Sequence, residues 1–370
     1  MTPTRPPLRV LHTESSPSLG GQELRILLEM EALVDRGINS VLAARPDTPI
    51  LAEAQRRGLK AVAIPMRSNL SPTSLWAFRQ LLRDERIDVV NAHNSKDAWN
   101  VAPVARLLGI PVIRARHIAG RLRAGWTRRL PYGLLCDAVL TTSESIKAGL
   151  VAAGVAADKI EAIPTGIDMA RFQVPRTDAV RREWGIPNTA RLVGQIAVMR
   201  SDKGPDIFAQ AAQRLLADGF DAWFVLVGEG RMREKVLAQL SPAERERILL
   251  PGFRRDIPEI LAELDIAVLA ARSPEGVPQA ILQAHAARVP VVATAVGGIS
   301  EVAIGDLTAL AVPPKDPVAL AAAIRRLADD PALGQRLTQA GHDLVARQHT
   351  LEHMLARMET LYRRLVTSTA

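Results

Sequence analysis

The feature that most constrains this chain is a rhythm repeated twice: short runs rich in Val, Ile and Leu, separated by longer stretches with helical periodicity. The runs at 8–13, 40–44, 61–65, 88–93, 112–116 and 138–142 read as buried strands. Between them, 22–35, 75–85, 99–108 and 144–153 read as helices, the last with Ser143 placed to cap it. Strands that are apolar on both faces belong in a parallel sheet covered by helices on both sides. A second series begins at 192–198 and continues at 223–227, 266–269, 289–293 and 307–312. At 370 residues the chain is too long for one ordinary core, so two βαβ domains follow. The periodicity breaks within 164–175, PTGIDMARFQVP. We therefore expect an α/β protein with domains at 1–172 and 173–348. Helices at 318–328, 332–346 and 351–366 follow, and the closing segment 349–370 returns toward the first domain.

Composition removes several classes. A single cysteine, Cys136, excludes a disulfide framework and a cysteine-based zinc site. The seven histidines are scattered without ligand spacing, so no metal is expected. The first residues lack the long apolar core of a signal peptide, and no run of about 18 apolar residues occurs. A cytoplasmic address is the expectation. The net charge of +8 is concentrated in residues 1–172, which hold 23 Lys and Arg against 16 Asp and Glu.

Open parallel sheets receive ligands at the carboxyl ends of their strands, so the loops there carry the candidate chemistry. After the first strand, Gly20-Gly21-Gln22-Glu23 leads into a helix, which suits either an anion on free amides or a plain tight turn. The loop lacks a Gly-x-Gly-x-x-Gly pattern and a Walker lysine, which disfavours classical NAD and ATP sites. After the first strand of the second series, Arg200-Ser201-Asp202-Lys203-Gly204-Pro205 places two cations before a helix, a pattern that suits a diphosphate. A solvated loop tolerates the same residues. Farther on, Glu275-Gly276-Val277-Pro278 precedes a helix that carries Gln283. Glu275 could accept hydrogen bonds from hydroxyls while Gly276 and Val277 present amides to an anion; alternatively it only favours the helix dipole. Gly297-Gly298-Ile299-Ser300-Glu301 makes another glycine turn. His93 ends an apolar strand, and His117 holds the same register one strand later.

Taken in order, these pieces resemble the retaining glycosyltransferases of family 4, with the GT-B architecture of two Rossmann-like domains facing across a cleft. The matching residues are Gly20-Gly21-x-Glu23, His93, Pro164-Thr165-Gly166-Ile167-Asp168-x-x-Arg171-Phe172, Arg200-x-x-Lys203-Gly204, Val227-Gly228-Glu229-Gly230, Pro251-Gly252-Phe253, Glu275-Gly276-x-Pro278 and Gly297-Gly298-x-x-Glu301. Around 91–97 and 114–118 the sequence is similar to bacterial members that build lipopolysaccharide or other surface glycans. The resemblance implies a UDP-sugar, or next a GDP-sugar, held mainly by the second domain in the interdomain cleft, with no separate cofactor and no metal. It implies that Arg200 and Lys203 hold the diphosphate and offset charge as the sugar leaves. Gly20 and Gly21 would pass close to the phosphates, and Gly252 and Phe253 would border the base. Glu275, Gly276 and Val277 would hold the donor sugar and phosphate, and His93 would lie near the transferred sugar. The family carries a second Glu eight positions after Glu275; here it is Gln283, a neutral acceptor that grips a ribose less strongly.

The segment 114–136 contains six arginines (114, 116, 121, 123, 128 and 129), His117, Trp126 and Tyr132, with no acidic residue. We expect a glycan or lipid-linked acceptor on the first domain, and an anionic membrane surface met through residues 114–132 on the inner face of the membrane. Nucleic acid is not expected, because no reading module is present. Two alternatives stay open: a nucleotide-sugar 2-epimerase, which needs no acceptor, and a nucleotide-sugar binding protein that has lost activity, with Gln283 as its support.

Overall fold

The structure is a computed structural model that describes residues 7–117 and 130–369. Arg121, Arg123, Trp126, Arg128 and Arg129 of the basic segment lie outside the described residues. The chain divides into two compact units, one of residues up to Thr165 together with Glu352 onward, the other Gly166–Leu351.

Among the described residues the first unit holds seven parallel strands: β1 Leu8–Glu14, β2 Ile38–Ala44, β3 Ala61–Ala63, β4 Val89–Ala92, β5 Val112–Arg116, β6 Ala138–Thr141 and β7 Ile160–Ala162, in the order β3-β2-β1-β4-β5-β6-β7. Side chains alternate between the faces of the sheet, and β2 shows the consequence. Val41 and Ala43 pack with Phe78, Leu82 and Val101 on one face. Leu42 and Ala44 pack with Ile26, Leu27 and Ile50 on the other. Ser143 caps the helix Glu144–Ala152 through a hydrogen bond from the Ile146 amide, 3.1 Å.

The closing helix Leu351–Thr369 belongs to this unit from Glu352 onward. It buries Met354, Leu355, Met358, Leu361, Tyr362 and Leu365, spaced as one helical stripe. Arg36 pairs with both Glu352 and Glu359 to fix its near end. Tyr362 is wholly buried, and its hydroxyl donates to Glu29 while accepting from the Asn91 side-chain amide at 3.0 Å.

The second unit holds six parallel strands: β8 Arg191–Ile196, β9 Ala222–Val227, β10 Ile248–Gly252, β11 Ile266–Leu269, β12 Val291–Thr294 and β13 Leu310–Val312, in the order β10-β9-β8-β11-β12-β13. Val193 and Val268 face a core with Phe208 and Leu215, and Leu192 and Leu269 face the opposite core with Leu261 and Leu282. Strands β7 and β10 and the helix Pro49–Arg56 go beyond what the periodicity predicted. β7 has three residues with a central Glu, and β10 is an edge strand that ends in Pro-Gly, so neither carries a clean apolar run.

Both sheets reverse their winding once, between β1 and β4 in the first unit and between β8 and β11 in the second. The carboxyl ends of those strand pairs form the crevice where such sheets bind ligands.

Candidate active site

In the second unit the loop after β8 makes a short turn, Ser201–Lys203, and enters the helix Pro205–Ala217 through Gly204. Gly204 has φ +61°, and a Cβ there would stand 2.0 Å from the Ala270 carbonyl oxygen, so only glycine lets the two loops approach this closely. Gln195, buried near the end of β8, locks the approach. Its amide nitrogen donates to the Lys203 carbonyl at 3.1 Å, and its oxygen accepts from the Ala270 amide at 3.2 Å. The Arg272 amide adds a hydrogen bond to the Asp202 carbonyl at 2.8 Å.

These ties bring Arg200, Lys203 and Glu275 to one end of the sheet. Lys203 donates from Nζ to Glu275 Oε2, and both side chains are largely covered. The second oxygen, Glu275 Oε1, is buried and has no hydrogen-bond partner among the described residues. Buried polar atoms are nearly always partnered, so this acceptor suits a ligand hydroxyl. Arg200 grips Asp202 with a fork, Nε–Oδ1 3.1 Å and Nη2–Oδ2 2.8 Å, and both remain about half exposed. Each cation therefore stands beside a carboxylate that holds it in place.

Glu275 is positioned from the other side by the loop after β12. Residues Glu275 and Gly297 form a parallel bridge, and the Gly298 amide donates to the Glu275 carbonyl at 2.8 Å. Gly297 has φ +56°, and a Cβ would lie 2.9 Å from both Glu275 N and O. The glycine turn read from the sequence is thus the backrest of Glu275. Gly276 and Val277 are buried just before the helix Gln279–Ala286. Gln283 is half-buried on that helix, and its side chain has no hydrogen bond among the described residues. At the end of β10, the Gly252 carbonyl accepts from the Gly228 amide at 2.8 Å. Phe253 beside it is 65% exposed, an open aromatic face with the Arg255 guanidinium 5.9 Å away.

In the first unit, Gly20 and Gly21 begin the helix Gly21–Ala32. The Glu23 carboxylate accepts from the Gly20 amide at 2.7 Å, so one of the free amides at this helix end already has an acidic partner. Strand β1 ends in Glu14, a buried carboxyl that accepts from the Ser16 amide at 2.7 Å and meets the side chains of Gln22 and Asn94. Asp97 lies close by, bonded to the Thr13 hydroxyl at 2.8 Å and the Asn94 amide at 3.1 Å. Burial, reinforced by the charges of Asp97 and Glu23, pushes the Glu14 carboxyl up to about 8. Burial likewise pushes Asp97 up to about 6.

His93 follows β4 and is 3% exposed. It is the middle of a stack: His12 Nδ1 lies 3.0 Å from His93 Nε2, and His93 Nδ1 lies 3.1 Å from His117 Nε2. The ring centroids are 5.3 and 5.4 Å apart. Sequence reasoning marked His93 and His117 but missed His12, which is hidden inside an apolar strand and is placed opposite Asn91 by the β1/β4 register.

The basic segment needs one correction. Arg114 is not a surface residue: it is buried, and its guanidinium donates to the carbonyls of Ala92 at 3.0 Å and Ala115 at 2.8 Å. Arg116 stands over the Tyr132 ring and donates to its hydroxyl at 3.0 Å. These two arginines stabilise the sheet end, because a strand that carries them inward must satisfy them with carbonyls and rings.

Two families match the chain, in order: glycosyltransferase family 4 over residues 19–171, and glycosyl transferases group 1 over residues 190–330. A UDP-Gal:α-D-GlcNAc-diphosphoundecaprenol α-1,3-galactosyltransferase of Escherichia coli is 25% identical over 354 residues, covering 90% of this chain and 91% of the relative. A glycosyltransferase from Rickettsia africae superposes with a TM-score of 0.87 at 17% identity, over 97% of this chain and 99% of that one. Anabaena HepE in complex with UDP-glucose superposes with a TM-score of 0.84 at 19% identity, over 97% and 100%. Two Rossmann-like units of this topology, matched in order by both families, show that the chain belongs to the group 1/family 4 glycosyltransferases and has the GT-B fold.

Proposed function

We propose that this glycosyltransferase takes its sugar from a nucleotide-diphosphate sugar, UDP-linked ahead of GDP-linked, and transfers it with retention to a glycan or lipid-linked acceptor of surface-polysaccharide or lipopolysaccharide synthesis. The observation that carries the reading is the meeting of Arg200, Lys203 and Glu275 at the β8/β11 switch point, with Glu275 Oε1 unpartnered. Arg200 and Lys203 supply the positive charge that a departing diphosphate needs, so no metal ion and no cofactor beyond the donor is required. Glu275 Oε1 takes a hydroxyl of the donor sugar, and the amides of Gly276 and Val277 hold the adjoining phosphate. Phe253 offers its exposed face to the base, and Gln283 reaches the ribose. The bond from sugar C1 to the diphosphate oxygen breaks, the acceptor oxygen bonds to C1 on the same face, and the acceptor proton leaves with the diphosphate.

HepE was solved with UDP-glucose, and the Escherichia coli relative uses a UDP-sugar and a diphosphoundecaprenol-linked acceptor. Both favour uridine here, and the Escherichia coli relative favours a lipid-linked acceptor. No helix among the described residues is long and apolar enough to cross a membrane. On this reading the enzyme works in the cytoplasm at the membrane face, and the acceptor and the anionic surface are met by the first unit, through Arg121, Arg123, Arg128 and Arg129.

Saturation-transfer NMR against UDP-, GDP- and ADP-sugars without added metal tests the donor assignment. Saturation of the base, ribose and sugar protons of one donor is the expected result. Silence toward all of them, in the wild type and in Gln283→Glu, removes the proposed donor site. Reversing the four arginine charges should abolish binding to anionic vesicles, and unchanged binding removes the membrane contact.

A further inference from the structure

The stack of His12, His93 and His117 obeys a strict proton count. Neutral imidazole carries one N–H and one bare nitrogen, and each of the two ring-to-ring contacts needs one hydrogen. With three neutral rings, only two arrangements satisfy both contacts: every ring protonated at Nε2, or every ring protonated at Nδ1. A charged ring is disfavoured throughout. Burial lowers His12, with Arg25 acting the same way and the Glu29 charge opposing, and burial holds His93 and His117 well below the ordinary histidine range, with the Arg25 and Arg114 guanidinium groups acting in the same direction there.

The choice between the two arrangements falls at the inner end. His12 Nε2 lies 4.0 Å from Glu29 Oε1, and both side chains are fully buried. The other neighbours leave Glu29 an acceptor. Tyr362 donates its hydroxyl to Oε1, having accepted the Asn91 amide on its own oxygen, and Arg25 Nε faces Oε2 at 3.9 Å. A lone pair on His12 Nε2 would oppose that carboxylate in a medium that screens poorly, whereas an N–H dipole is attracted to it.

We propose that Glu29 and His12 are positioning residues that hold His93 as the Nε2–H tautomer, with its hydrogen given inward to His12 and its Nδ1 lone pair taken by His117. Both nitrogens of His93 are then committed within the protein. The same train leaves His117 protonated at Nε2 and bare at Nδ1, so the ladder's outer end is a hydrogen-bond acceptor and its ligand class is a hydroxyl of sugar or acceptor. His93 acts on that hydroxyl through His117. The consequence for catalysis rests on the transferase reading above; the tautomer assignment does not.

The test uses the full chain labelled with ¹⁵N-histidine and long-range ¹H–¹⁵N correlation spectra, with resonances assigned from single His→Asn variants. His12, His93 and His117 should all show a protonated Nε2 and a bare Nδ1, unchanged from pH 8 to pH 6. In Glu29→Gln the His93 nitrogens should shift toward the average of the two tautomers. If that variant does not fold, His12→Phe, which keeps an aromatic ring in the stack and frees His93 Nε2, should produce the same averaging. His93 protonated at Nδ1 in the wild type overturns the proposal, and so does a His93 spectrum identical in wild type and the folded variant. Saturation-transfer spectra of a UDP-sugar on the same samples separate the two readings. Base and ribose saturation should be equal in wild type and Glu29→Gln, and its absence from both defeats the donor assignment while leaving the tautomer result standing.

Discussion

Lys203 Nζ is paired with Glu275 Oε2, joining the loop after β8 to the loop after β11 across the switch point of the second sheet. One oxygen of the carboxylate is spent on the lysine, and the other is buried without a partner among the described residues. One contact thus fixes the Lys203 ammonium at the Ser201–Lys203 turn and leaves the other carboxylate oxygen as an open acceptor. Replacing Lys203 by Ala should weaken binding of a nucleoside diphosphate by roughly 10- to 100-fold, the worth of a charge-assisted hydrogen bond of about 1.5–3 kcal/mol. Calorimetric titration with UDP reads this directly. An unchanged affinity would mean that Lys203 serves only to neutralise Glu275.

Arg200 is more exposed than Lys203 and already holds Asp202 in its fork. Exposed ion pairs contribute little, and a guanidinium that must share itself with a carboxylate has less to give a phosphate. Arg200→Ala should therefore cost less UDP affinity than Lys203→Ala, while Asp202→Asn should strengthen binding. The same titrations check the ranking; a larger loss at Arg200 reverses the assignment of the leading cation.

Gln283 is half-buried on the helix that follows Glu275, with no hydrogen bond to its side chain among the described residues. A carboxylate at this position would accept ribose hydroxyls about 1 kcal/mol more strongly than the amide does. Gln283→Glu should tighten UDP binding roughly fivefold and leave the free phosphate affinity unaltered. Equal affinities for wild type and variant would detach Gln283 from the ribose.

Much of this arrangement was legible in the sequence because the central strands are apolar on both faces. β1, β4, β5, β8 and β11 each announce themselves, and the loops after β8 and β11 then point to Arg200, Lys203 and Glu275 without any further signal. The supports of those residues were not legible. Gln195 reads as one polar residue at the end of a strand, and only the pairing of β8 with β11 sets it between Lys203 and Ala270. His12 and His93 are 81 positions apart, and their contact exists because parallel register places β1 beside β4. Arg114 looked like part of a basic surface run because composition does not record which way a strand residue points.

Gly297 can be tested as the backrest of Glu275. Its φ of +56° is open to glycine at no steric cost, and an added Cβ would press on both Glu275 N and O at 2.9 Å. Gly297→Ala should destabilise the second unit by about 1–3 kcal/mol and weaken nucleotide-sugar binding by displacing Glu275. Thermal denaturation and saturation-transfer NMR measure the two effects separately. A lowered melting temperature with unchanged sugar saturation would show that Glu275 is placed by Lys203 alone.

The Glu14 carboxyl links the first unit's stability to pH with a definite sign. Folding raises its pKa to about 8 from an ordinary value of 4.5, so the folded protein keeps a proton that the unfolded chain has released. Stability from this group is complete below pH 4.5 and is lost as pH rises toward 8. The stacked histidines pull the other way. His12, His93 and His117 are lowered from 6.5, so the unfolded chain takes up protons below that pH and acid destabilises the fold. Glu14→Gln isolates the first effect, because an amide can still accept from the Ser16 amide and donate to the flipped side-chain amide of Gln22 or Asn94, yet never ionises. The variant and the wild type should melt at similar temperatures at pH 5, and the variant should melt higher at pH 8. Parallel melting curves across this range would mean that Glu14 is ionised in the folded protein, its charge balanced by the amides of Gln22 and Asn94 rather than by a retained proton.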